Sequence, residues 1–150
     1  MKAVIQRVYG AKLSVDGEVK AEIGRGLVVY VGVEQADEPT HADALAQRIT
    51  LMRIFQDDAG KMNLSVSDIK GDILLVPNFT LCADIMNGHR PSFSGAKRPA
   101  SDAKALFDYC IDAFRTCMDK VGCGGGVKCG VFGADMRIDQ ANDGPVTIIY

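Results

Sequence analysis

Tryptophan is absent from the chain, aromatic residues make up only 7% of it, and histidines number two. Sparse aromatics argue against a non-catalytic RNA-binding module, because such modules stack unpaired bases on exposed rings. With so little histidine and no G-x-S-x-G elbow, HExxH helix or P-loop, the usual parts of serine hydrolases, zinc proteases and nucleotide triphosphatases are missing. No apolar run approaches the ~20 residues that a membrane helix needs. The opening segment Met1–Val8 is interrupted by Gln6 and Arg7, too short and too polar for a signal-peptide core. These absences set the expectation of a cytoplasmic protein with no membrane partner. A strong charge of one sign is lacking too. A net charge of −2 argues against coating long stretches of nucleic acid, but leaves room for gripping a single nucleotide terminus.

The cysteines are five, an odd number, and none form a CxxC pair. That spacing gives neither a disulfide framework nor a zinc site. Cys110 and Cys117 fall seven apart in a helical pattern and read as buried thiols in a reducing cytosol. Gly124-Gly125-Gly126 lacks the G-x-G-x-x-G spacing of a dinucleotide fingerprint, and reads as a flexible connection. No ligand cluster calls for a metal or cofactor, so none is expected.

What the chain does have is the balance of a soluble globular protein, 47% hydrophobic and 24% charged over 150 residues. No linker, repeat or low-complexity tract divides it, so one domain is expected over 1–150. Asp16-Gly17 between Leu13-Ser14-Val15 and Glu18-Val19 is a hairpin signature. Leu27 to Val33 suits a buried strand. Ala42, Leu45, Ala46, Ile49 and Met52 form a helical stripe, with Thr40 as the expected N-cap after Pro39. Ile73–Val76 predicts a strand running into Pro77. A second stripe runs from Ala103 through Leu106, Phe107, Cys110, Ile111, Phe114, Cys117 and Met118 to Val121, with Ser101 as cap and Gly122 as stop. Three further strands are expected near Val127–Phe132, Met136–Asp139 and Val146–Tyr150. The sum is an α+β fold: a mostly antiparallel, curled or barrel-like sheet with two packed helices.

Candidate chemistry is confined to a few segments. His41 at a helix start and His89 in the polar loop Asn87-Gly88-His89-Arg90-Pro91 both read as surface histidines. Pro77-Asn78-Phe79-Thr80 follows a buried strand, where proline marks an edge or bulge. Residues beyond it could offer free backbone N–H groups, the material of an oxyanion hole. Asn142-Asp143-Gly144-Pro145 reads as a turn before the last strand.

At these same segments the chain resembles the D-aminoacyl-tRNA deacylase family over essentially its whole length. The matching stretches are Met1–Val8, Gly60-Lys61-Met62-Asn63-Leu64-Ser65-Val66, Phe79-Thr80-Leu81 with Ala83-Asp84, and Arg90-Pro91-Ser92-Phe93. Phe132-Gly133-Ala134-Asp135-Met136 and Asn142-Asp143-Gly144-Pro145-Val146-Thr147 complete the set. The resemblance implies a cofactor-free ester hydrolase acting on the 3′ end of an aminoacyl-tRNA, and a homodimer with active sites at the subunit interface. It implies that Phe79 and Thr80 are catalytic, with Thr80 at the position proposed as nucleophile or backbone N–H groups doing the work instead. It places Pro77, Asn78, Phe132, Met136, Gly144 and Pro145 around the substrate, with Gly144-Pro145 a cis bond reaching into the partner's pocket to exclude L side chains. Arg90, Lys97, Arg98 and Lys104 would supply a local basic patch for the tRNA. The family usually carries Ser-Gln where this chain has Pro77-Asn78. A related group of relaxed chirality, acting on mischarged glycyl- or L-alanyl-tRNA, carries proline at the first of those positions. That group, and a non-catalytic RNA-binding dimer, are the alternatives.

Overall fold

The computed structural model describes residues 1–86 and 88–150; Asn87, part of the polar-loop reading above, lies outside the described residues. The elements run β1 (Lys2–Val15), β2 (Glu18–Ile23), β3 (Gly26–Gly32), α1 (Pro39–Thr50), β4 (Phe55–Gln56) and β5 (Met62–Leu64). There follow β6 (Asp72–Pro77), a 3-10 turn (Phe79–Cys82), α2 (Ala100–Lys120), β7 (Val127–Cys129) and β8 (Arg137–Ile149).

The main sheet has the order β2-β1-β3-β6-β7, with β8 on the other edge of β1. The long strand β1 pairs with β3 through its first half and β2 through its second, while β8 follows it along the opposite side. One strand shared by three partners in this way must bend, and the sheet curls into a barrel-like shape as expected. It is a mixed sheet: β3–β6 and β6–β7 are parallel, while the pairings of β1 are antiparallel.

The apolar run Leu27–Val31 is uninterrupted because β3 is buried on both faces. Leu27, Val29 and Val31 join Ile73 and Leu75 of β6 beneath the helices, with Leu45, Ile49, Phe107 and Phe114 above them. Val28 turns the other way with Leu74 and Val76, toward Val8, Leu13, Ala21 and Ile23 inside the curl. Phe55, Phe107 and Phe114 are fully buried, each contributing roughly 2–3 kcal/mol of transfer free energy.

The hairpin is as expected: Asp16 and Gly17 both take positive φ, 51° and 81°, as a type I′ turn requires. Both helices lie where their stripes predict, but their starts differ. Glu38, not Thr40, is the cap residue of α1, and the His41 ring accepts its N–H at 2.9 Å through Nδ1. Pro99, not Ser101, precedes α2, leaving Ser101 in the first turn. Gly122 does stop α2, at φ 64°, with Gly122 N–H on Asp119 O and Cys123 N–H on Met118 O, both at 3.0 Å. Two of the three expected late strands are one. β8 runs as one strand from Arg137 to Ile149 because β1 pairs with it on both sides of Asn142-Asp143-Gly144-Pro145.

Candidate active site

Pro77 is the last residue of β6, a central strand, so the expectation of a sheet edge or bulge does not hold. Its register partner is Val31 of β3, and the next residue, Asn78, donates its N–H to Val31 O at 2.8 Å. Backbone groups alternate sides along a strand. Pro77 therefore directs its missing N–H away from β3, toward β7, whose pairing with β6 stops at Leu75. A proline is tolerated there because the β6–β7 pairing ends at Leu75 and takes no N–H from residue 77.

The chain then turns at once into the 3-10 segment. Asn78 makes no side-chain cap, and among the described residues the N–H groups of Phe79 and Thr80 find no acceptor. Opening N–H groups of a helical turn lack partners within it. Here two of them remain available beside exposed Phe79.

A cavity of about 620 Å³ opens at this point, walled by Phe79, Phe93, Ala96, Lys97, Arg98, Ala103, Phe132 and Gly133. A narrower recess of about 80 Å³ continues from it to Val31, Val33, Pro77 and Asn78. Phe79 and Phe93 meet edge to face with centroids 5.1 Å apart, and Phe132 leans on Phe107 of α2 at 6.1 Å. The strand end, the 93–98 segment, the start of α2 and the loop after β7 thus converge on one aromatic cleft. Pro77, Asn78, Phe79 and Phe132, singled out from the sequence, are brought together. Phe93 was quoted there only as part of a matching stretch. Its sole local signal is an aromatic placed after Pro91 in an otherwise polar loop.

The other residues singled out lie elsewhere. Thr80 is exposed at the cleft margin but does not line it; its hydroxyl donates to Asn78 Oδ1. Met136 packs into the second core, its Sδ and the Pro77 ring both closing on Gly130. Gly144 and Pro145 occupy the bulge that β8 makes between Asn142, paired with Val8, and Thr147, paired with Gln6. Neither lines the cleft. The expected turn is thus a bulge within a continuous strand, and its Gly144-Pro145 peptide is cis, as is Arg98-Pro99. Gly144 has φ +124°, and a Cβ there would meet Val146 N at 2.8 Å. Beneath the bulge, buried Arg7 pairs with Asp143 at 3.1 Å, donates to Ile54 O and lies 5.9 Å over the Phe55 ring.

Of the expected basic patch, two members are already engaged. Lys97 donates to the Gln35 and Asp37 carbonyls at 3.2 and 2.9 Å, and Lys104 pairs with Asp108 at 2.6 Å. Arg98 lines the cleft and Arg90 is exposed. Groups of three or more His, Cys, Asp or Glu side chains suited to a metal do not occur among the described residues. All five thiols are free.

Among the described residues no base is hydrogen-bonded to the Thr80 hydroxyl, as a side-chain nucleophile would need. The amide oxygen of Asn78 that holds the Thr80 hydroxyl cannot take its proton, and His41 is committed to the cap of α1. Cys82, in the same turn, is buried and directs its thiol at Val33 O, 3.5 Å away. Burial above all, then the Glu34 carboxylate, pushes that thiol up, so it stays protonated. What the site offers is positioning in an apolar cleft and two free N–H groups for a developing negative charge.

The triple glycine is not a loose connection. Ile73 N–H bonds Gly126 O at 2.9 Å, Gly126 N–H bonds Asp72 Oδ1 at 2.8 Å, and Gly125 abuts the Gly71 carbonyl. It fastens the end of α2 to the start of β6, and so helps fix the far end of the strand that delivers Pro77.

Comparison with known proteins agrees with this picture. The family model described as D-Tyr-tRNA(Tyr) deacylase matches residues 4–150. A D-aminoacyl-tRNA deacylase of Geotalea daltonii is 48% identical, covering 99% of this chain and 95% of its own. One of Pseudomonas fluorescens is 47% identical over 99% and 98%. The solved structure of a c-Myc DNA unwinding element binding protein superposes with a TM-score of 0.90 at 35% identity, covering 100% of this chain and 97% of the other. A probable eukaryotic D-amino acid tRNA deacylase shares the fold at a TM-score of 0.82 and 18% identity, over 99% and 97%. Matched by the family model over residues 4–150 and by relatives 47–48% identical along 99% of its length, the chain belongs to the D-Tyr-tRNA(Tyr) deacylase family.

Proposed function

We propose that the protein hydrolyses the ester joining a D-amino acid to the 3′ end of a tRNA, acting as a homodimer with its active sites at the subunit interface. The observation that carries this reading is the pair of unpartnered N–H groups at Phe79 and Thr80, set at the mouth of the aromatic cleft. An aminoacyl ester is reactive enough for positioning and charge stabilisation to suffice. Water, its proton drawn toward the 2′-hydroxyl of the terminal ribose, adds to the ester carbonyl. The oxyanion that forms is held by the two N–H groups. Collapse breaks the bond to the 3′ oxygen, which takes up a proton, and releases free D-amino acid and tRNA. The Thr80 hydroxyl, engaged with Asn78, is not the nucleophile.

Within one subunit the Gly144-Pro145 bulge lies three strands away from Pro77, across β1 and β3. In the dimer, Gly144 and Pro145 of the partner subunit reach the cleft and set main-chain atoms where an L side chain would go. Exclusion by backbone acts without reading the side chain, so many D-amino acids are accepted. Glycine has no side chain to exclude, which extends the reading to glycyl-tRNA mischarged on tRNA-Ala. A second reading rests on Pro77-Asn78 at the cleft recess: a relaxed filter that also admits L-alanyl esters.

The test is incubation of D-tyrosyl-tRNA with nanomolar protein and a chelator. Release of D-tyrosine well above the spontaneous rate supports the hydrolase, while release at the spontaneous rate overturns it.

A further inference from the structure

The 143–146 bulge is held from both sides of the sheet. From the helix-covered side, where Arg7 lies against Ile54 and Phe55, Asp143 is bound by Arg7. From the opposite face a chain of neutral side chains reaches the residues that flank the bulge. Gln140 donates through Nε2 to Asn142 Oδ1 and Gln6 Oε1, both at 2.7 Å. Gln6 in turn donates to Thr147 Oγ1 at 3.3 Å. Gln140 Oε1 is fixed by the Tyr30 hydroxyl, which donates at 3.1 Å.

Asn142 and Thr147 are the residues at which β8 leaves and rejoins β1. The amide of Gln140 therefore joins both feet of the bulge, one directly and one through Gln6. Tyr30 sits on β3 with Val76 of β6 as its register partner, one residue before Pro77. The same chain thus ties the bulge to the strand that ends in the cleft. A glutamine side chain has three usable groups here, and all three are occupied.

We infer that Gln140, fastened by Tyr30, is a positioning residue that sets the placement of the 143–146 bulge and thereby the discrimination between D- and L-aminoacyl esters. The inference rests on the proposed function. A filter made of main-chain atoms works only if those atoms hold station, since steric exclusion of a methyl-sized group fails once the excluding atoms can retreat. Removing Gln140 leaves the Asn142 and Gln6 carbonyl oxygens facing each other with no donor between them.

Three variants and two readouts test it. Gln140→Leu keeps the bulk and removes all three bonds; Tyr30→Phe removes only the hydroxyl. The ratio of kcat/KM for D- over L-tyrosyl-tRNA is expected to fall about tenfold in Gln140→Leu and about threefold in Tyr30→Phe, in line with losing several neutral hydrogen bonds or one. The loss should arise from faster cleavage of the L ester rather than slower cleavage of the D ester. Gln140→Glu, which keeps the acceptor for Tyr30 but loses both donors, should behave like Gln140→Leu. Amide hydrogen exchange at Asn142–Thr147 should speed up in both Gln140 variants while exchange in α2 stays unchanged. An unchanged D/L ratio in well-folded variants overturns the inference, as does unchanged exchange at the bulge. If the unaltered protein cleaves neither ester, the proposed function fails, and the exchange measurement alone decides whether the clamp exists.

Discussion

Thr80 carries the sharpest residue-level consequence. Its hydroxyl is engaged by an amide oxygen rather than by a base, so Thr80→Ala should keep activity within about tenfold of the unaltered protein. A loss beyond about a thousandfold (≈ 4 kcal/mol) with the fold intact would instead make the hydroxyl the nucleophile. Arg7 carries the second. Buried with Asp143 beneath the bulge, it cannot be removed without stranding a carboxylate. Arg7→Met is expected to cost about 3 kcal/mol in urea unfolding, with part recovered by adding Asp143→Asn. Equal losses in the single and double variants would show that the pair does not matter. Neither role was legible from residue type. Arg7 looked like a polar interruption of an apolar strand, because the partner that justifies its burial lies 136 residues away. His41 is exposed, as its reading as a surface histidine expected, but its hold on the Glu38 N–H three residues back leaves no trace in hydrophobic periodicity.

Apolar patterning read well where burial decides the element, on one face of each helix and on both faces of β6. The stripes of α1 and α2 and the strand Ile73–Val76 came through because apolar spacing alone decides them. It failed where backbone geometry decides. Asn142-Asp143-Gly144-Pro145 has every turn residue, yet pairing of β1 with both flanks keeps β8 one strand. Gly124-Gly125-Gly126 has a linker's composition, yet Gly125 is a packing contact: a Cβ there would lie 1.9 Å from Gly71 O. A flexible connection would accept alanine freely. Gly125→Ala is expected to destabilise by on the order of 2 kcal/mol, lowering the melting temperature by several degrees. A melting curve matching that of the unaltered protein would restore the linker reading. The cleft itself was half legible. Pro77 to Phe79 and Phe132 stood out as motifs, whereas Phe93 entered only through the tertiary approach of the 93–98 segment.

At the scale of the whole molecule, the buried thiols tie stability to pH. Burial, with a smaller contribution from Asp43, pushes Cys110 up to about 12, and buried Cys82 and Cys117, half-buried rather than buried as its spacing suggested, shift in the same direction. An unfolded thiol loses its proton near ~8.5. Above that pH the native state holds protons that the unfolded chain has released, so stability is full below it and declines as pH rises toward about 12. Between pH 8 and 10 unfolding free energy should fall by about 1 kcal/mol or more, and Cys110→Ala should flatten the slope. A slope unchanged by that substitution would assign the effect to other groups.

The proposed function also requires two subunits, because the cleft and the Gly144-Pro145 bulge are apart within one chain. The measurement that tests the account most directly is the ratio of kcat/KM for D-tyrosyl- and L-tyrosyl-tRNA, taken side by side at low protein concentration with chelator present. The chiral filter predicts rapid release of D-tyrosine and far slower cleavage of the L ester. Comparable cleavage of both would contradict the chiral filter and place Pro77-Asn78 at the root of a relaxed one.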